Sequence, residues 1–240
     1  MSARGAALFA RFAYPPNELG YCGPEGASAL LDDRATVEIT RRARAFEGAW
    51  CYLEFLAEAV GCPDPLEETV VAAYWIGGEL LESVDPEALV ARLEDRFRGQ
   101  LGGTWREAHG RALPHHSFQV FEVYPWAGLL GQAATPTAVC VLDRCRIRTG
   151  EVLTVHGESA RVLCRPLVWS PAGLALGEAH EEEVRWSVGG HALIAPPEQG
   201  DLVALHWDWV AQVVSAEESR TIDRLEAQQR HRISAGISAG

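Results

Sequence analysis

The chain has 240 residues, 48% of them hydrophobic and 22% charged, with a formal net charge of −12. That acidity argues against nucleic acid, whose phosphates would be repelled. All 21 basic residues are arginine, which excludes a catalytic lysine, a Schiff base and a Walker-type phosphate loop, since each needs that amine. No apolar run reaches the roughly twenty residues a membrane span needs, and no secretory-type opening stretch is present, so the expected compartment is the cytoplasm, with no membrane partner. The six cysteines, Cys22, Cys51, Cys62, Cys140, Cys145 and Cys164, form no CxxC pair. Free thiols are therefore expected in a reducing cytosol.

In chain order, the first dense signal is Asn17-Glu-Leu-Gly-Tyr-Cys22-Gly-Pro. Its glycines permit a tight turn that presents Cys22 beside a helix start. Thr36 to Val60 then carries apolar residues near helical period and stops at Gly61-Cys-Pro. Asp64-Pro and Asp85-Pro each open a further helix, the acid capping and the proline taking the first turn. The second of these ends at Gly102-Gly103. Residues 113–130 alternate like a strand yet fit a helix, and are read as helix. This stretch begins with Pro114-His115-His116. Trp50, Trp75, Trp105 and Trp126 all fall in helical patterns and read as core.

Gly131-Gln-Ala-Ala-Thr-Pro-Thr reads as a linker, and from Val139 the pattern becomes short strands at 145–155, 160–168, 182–187 and 201–214. Pro171 to Gly177 reads as a loop between strands, and a charged helix runs over 215–232. The expected fold class is α+β. It comprises an all-helical N-terminal domain over 1–133, a small OB-like β-barrel with a C-terminal helix over 139–232, and a flexible tail over 233–240.

Chemistry is expected at two residues of the second half. Cys145 opens Cys145-Arg-Ile-Arg-Thr-Gly150-Glu-Val-Leu, and His206 closes Gly200-Asp-Leu-Val-Ala-Leu-His206. Arg144, Arg146 and Arg148 flank the thiol, and nearby positive charge lowers a thiol pKa. Asp208 could orient the imidazole if a turn redirected it.

These two patterns, followed by the Ala-Glu-Glu helix, resemble the small HypC/HupF-type hydrogenase maturation chaperones over residues 139–232. The resemblance implies a metal and cofactor site at Cys145 and His206 for an iron fragment carrying cyanide and carbonyl ligands. It also implies handover between a maturation scaffold protein and the precursor of the nickel-iron hydrogenase large subunit, which is accessory work rather than turnover. A thiolate and an imidazole suit such a soft centre. In this sequence the cysteine is internal, Thr149 stands where a proline usually precedes the glycine, and Asp208 where a small glycine usually follows the histidine. Two other readings stand beside this one. The first is a thiol-dependent enzyme centred on Cys22 with His115 or His116 as base. The second is an interaction module whose barrel has lost the iron.

Overall fold

The structure, a computed structural model, describes residues 2–32, 35–100 and 103–238, with side chains through residue 235. Gly102, expected to end a helix, and the last two residues of the expected tail lie outside the described residues. Helix α1 (Ala3–Glu18) starts where the Ser2 hydroxyl accepts the Gly5 amide. The sequence patterns above assign it no element. Pro15 and Pro16 lie in the last turn of the helix, where they do not interrupt it. Gly5 lets α1 press on the segment before α4 (Glu68–Trp75), since a Cβ there would fall 1.8 Å from the Leu66 carbonyl oxygen.

The expected single helix over 36–60 is two, α2 (Thr36–Ala43) and α3 (Glu47–Ala59). Between them Phe46 turns into the core edge-on to Phe9, with centroids 5.3 Å apart. Asp64 caps a turn by accepting the Leu66 amide, so α4 begins three residues later than expected. Helix α5 (Pro86–Arg96) follows its Asp85 cap as read. Residues 113–130 coil irregularly, as a short α6 (His116–Phe118), a π-helical turn Gln119–Val123 and a 3-10 turn Pro125–Leu129.

The expected linker and the start of the first expected strand are corrected, while the rest of that strand stands as β1. Residues 135–145 form helix α7 (Thr135–Cys145), which buries Ala138, Val141, Leu142 and Cys145 on one face. That spacing is helical, and only after Cys145 does the chain extend into β1 (Arg148–His156). β2 (Ser159–Cys164) and the hairpin β3 (Leu167–Ser170) and β4 (Gly173–Leu176) follow; the hairpin lies where a loop was expected. Then come β5 (His180–Arg185), a minimal hairpin of β6 (Ser187–Val188) and β7 (His191–Ala192), and the pair β8 (Leu202–His206) and β9 (Trp209–Val213). Helix α8 (Ala216–Ser238) ends the described chain and packs on β1, β4, β8 and α6.

The expected fold class is corrected as well. The five main strands pair antiparallel in the order β5-β2-β1-β8-β9. The outer two, β5 and β9, run parallel and meet at a single residue pair, Arg185 and Trp209. A one-pair seam is not a ladder, so the strands form a curled five-stranded sheet and not an OB-like barrel. Nor do the helices form a self-contained layer. Phe9, Phe12 and Trp75 share one core with Ala204, Trp209 and Ala211 of the sheet, and Phe12 stacks on Trp75 at 5.1 Å and 10°. Val152, Val162, Val203 and Val210 fill the concave side of the sheet.

Candidate metal centre

His206 is the last residue of β8 and is 1% exposed. Its Nδ1–H donates to the Phe12 carbonyl oxygen at 2.6 Å, so α1 fixes its tautomer and turns the Nε2 lone pair inward. Nε2 makes no hydrogen bond among the described residues. Asp208, considered in sequence as the orienting group, instead pairs with Arg185 at 3.1 Å.

His116 arrives from α6. Its Nε2 donates to the Cys145 carbonyl at 2.8 Å, and its Nδ1 accepts from the Tyr74 hydroxyl at 3.2 Å. Tyr74 has a second acceptor in the Gly48 carbonyl at 3.3 Å, so the hydroxyl can release Nδ1. Cys145, the last residue of α7, brings its thiol to the same place. Ligand atoms of His116, Cys145 and His206 all lie within 4.8 Å of one another.

These three side chains line a cavity of about 130 Å³. Cys22 lines it too, from the turn after α1, and Tyr74, Trp75 and Tyr124 supply aromatic wall. At the mouth the exposed ring of Tyr21 lies 4.1 Å from that of Trp207. Trp207 has φ +58 in the tight turn between β8 and β9, a left-handed conformation that costs a side-chain-bearing residue about 1–2 kcal/mol. Its backbone is held on both sides, the amide by the Arg144 carbonyl at 2.8 Å and the carbonyl by Arg148 at 2.5 Å.

Among the described residues no Asp, Glu or Arg lines the cavity, and burial keeps every donor neutral before anything binds. Burial pushes His206 far below the usual histidine range and His116 to about 4. It also raises the Cys145 thiol well above its ordinary value and the Cys22 thiol to about 12. The expected acidifying arginines are turned away. Arg148 and Arg144 bind Glu182, and Arg146 binds Asp143 and the Arg165 carbonyl. Two imidazoles and buried thiols without a carboxylate suit a soft or borderline cation and do not suit a hard, oxygen-seeking one.

Of the residues singled out in sequence, Cys145, His206, His116 and Cys22 share this cavity. His115 does not line it: its Nδ1 accepts from the Ser117 amide at 3.1 Å, and burial lowers it to about 3. Tyr74 and the Phe12 carbonyl were missed. A backbone acceptor from a distant helix leaves no sequence signal. A second cluster, Cys164, His180 and Glu182, is also compact, but Glu182 there is already bound by two guanidinium groups.

One family description covers residues 1–238. The chain belongs to DUF6390, a family of unknown function. No curated protein matches it, and no solved structure does. Among the described residues no helix is long and apolar enough to cross a membrane.

Proposed function

We propose that this protein is a cytoplasmic accessory factor of nickel-iron hydrogenase maturation, which holds or hands over an iron fragment carrying cyanide and carbonyl ligands. Cys145 and His206 are its ligands, with His116 beside them. The observation that carries this reading is the convergence of one thiol and two neutral imidazoles within 4.8 Å around a cavity that, among the described residues, no charged side chain lines. The resemblance of residues 139–232 to the HypC/HupF-type chaperones supports the cargo. The partners are then the large-subunit precursor and a maturation scaffold protein.

The chemistry this chain supplies is binding and shelter. Iron(II) prefers sulfur and imidazole over a carbonyl or hydroxyl when its other positions carry strong-field ligands. His206 offers Nε2 in a fixed tautomer, because Nδ1–H is committed to the Phe12 carbonyl. The aromatic wall keeps water from the bound fragment. Cys145 releases its proton to solvent only when a cation takes its place on the sulfur, since burial disfavours a bare thiolate. A thiol enzyme at Cys22 would instead need a thiolate beside a protonated base, and burial works against both charges.

The test is anaerobic purification of wild type and Cys145→Ser from a host expressing hydrogenase maturation genes, followed by infrared spectroscopy. Cyanide and carbonyl bands present in wild type and absent from the folded variant are expected. Their absence from folded wild type bound to its partners, or their persistence in Cys145→Ser, would overturn the assignment.

A further inference from the structure

Cys22 is a second thiol of the same cavity, and the reading above gives it no work. Its position is nonetheless tightly held. The buried Asn17 side chain donates to the carbonyl oxygens of Cys22 and Pro24 at 2.8 and 2.7 Å. The Tyr21 amide donates to the Pro16 carbonyl at 2.9 Å. Gly23, at φ +81, brings the turn so close to the Phe46 ring that a Cβ would sit 2.4 Å from it. A turn pinned from three sides keeps the thiol facing the cavity.

The site has room for a fourth donor and a reason to need one. His206 Nε2 is a buried lone pair with no hydrogen-bond partner among the described residues, which points to a ligand in the cavity. A bare divalent cation held by one thiolate and two imidazoles would leave net positive charge in a cavity with no acidic wall, and an uncompensated buried charge is costly. Two thiolates with two neutral imidazoles cancel it. Cys22 is not in the 4.8 Å group, but rotating the one side-chain torsion of a cysteine between its staggered wells moves Sγ by about 3 Å.

We propose that Cys22 is a fourth protein ligand, making the cavity a two-thiolate, two-imidazole site for a single bare divalent cation of the zinc or iron(II) type. This rests on reading Cys145, His116 and His206 as a ligand set. It also gives the site two loading states. A cyanide-bearing fragment brings its own negative charge and leaves Cys22 free, whereas a bare cation engages both thiols.

Zinc is the probe. The full chain, stripped of metal and loaded with one equivalent of zinc, is measured by zinc K-edge X-ray absorption. Two sulfur scatterers at about 2.3 Å and two nitrogens at about 2.0 Å are expected. Cys22→Ser and Cys22→Ala, each checked for native circular dichroism, should retain one sulfur and lose about tenfold or more in affinity against a chromophoric chelator. Two sulfurs persisting in either folded variant would overturn the proposal. So would a single sulfur in wild type. If that single sulfur is lost in Cys145→Ser, the Cys145 site survives and only the role of Cys22 falls. Zinc bound without sulfur, unaffected by either cysteine, removes both.

Discussion

Arg148→Met tests whether the hairpin that carries His206 and Trp207 is held by a buried ion pair. Arg148 is 1% exposed. It donates to both Glu182 oxygens, at 2.5 and 3.2 Å, and to the Trp207 carbonyl at 2.5 Å. Methionine keeps much of the volume and removes every donor. Breaking a buried pair by deleting one partner costs about 3–5 kcal/mol. Glu182 keeps the half-exposed Arg144 at 2.9 Å, which pulls the cost down, while an orphaned buried carbonyl adds about 1–3 kcal/mol. A net loss of about 3 kcal/mol is expected, or about 6–12 °C in Tm for a chain of this length. Urea unfolding at neutral pH measures it. The loss in the double variant Arg148→Met with Glu182→Gln should fall short of the sum of the two single-variant losses by about 1 kcal/mol or more. A single-variant loss below about 1 kcal/mol, or strict additivity, would refute the view that this pair holds the turn.

Glu182 carries a pH dependence of known sign. Burial opposes its charge, but Arg148 and Arg144 win and hold its carboxyl below the usual value of 4.5. The stabilisation is therefore complete above about pH 4.5 and is lost as pH falls from there through the native value. Urea midpoints followed from pH 6 downward should drop in wild type, and less in Glu182→Gln; identical slopes would sink the assignment. Gly5→Val places a side chain against the Leu66 carbonyl, so it should destabilise by about 3 kcal/mol or more; a change under about 1 kcal/mol would mean that α1 is free to shift. Trp207→Gly relieves the left-handed backbone but removes the ring packed on Tyr21. Because the indole is buried in the core, its loss outweighs the relieved strain and a net destabilisation of about 2 kcal/mol is expected, with faster maleimide labelling of Cys22 and Cys145; labelling at the wild-type rate would show that Trp207 does not guard the cavity.

How much was legible in the sequence varied with the kind of signal. Caps read well: Asp85-Pro gave α5 its start because the acid and proline act within one turn. Strands β1, β2 and β5 were visible as short runs, β8 and β9 only as one run over 201–214, and α8 as a charged helical stretch, whereas β4 and the β6–β7 hairpin were not read as strands. The boundary at Cys145 was not visible, because the stripe Ala138, Val141, Leu142 and Cys145 is short and abuts a strand of similar composition. The barrel expected from the strand pattern did not follow, because the β5–β9 approach rests on the single pair Arg185 and Trp209 and no local pattern shows whether the edges of a sheet join. Cys145 and His206 were singled out together, and His116 and Cys22 only as members of another reading; their meeting required α1, α6, α7 and β8 to pack.

The arginines beside Cys145 show why proximity in sequence misled. Cys145 ends a helix, and Arg146 leaves it in an extended conformation with ψ near 150°. That change of direction sends the Arg148 guanidinium to Glu182, while the thiol stays on the apolar face of α7. The result is a separation of charge. Arginines and acids knit the outside of the β8–β9 turn, and the inside keeps only neutral nitrogen and sulfur. A thiol placed among cations would ionise readily and react with electrophiles; one placed here stays protonated until a metal supplies the positive charge. The same burial that makes Cys145 a poor nucleophile thus suits it to binding that begins only when a soft cation arrives.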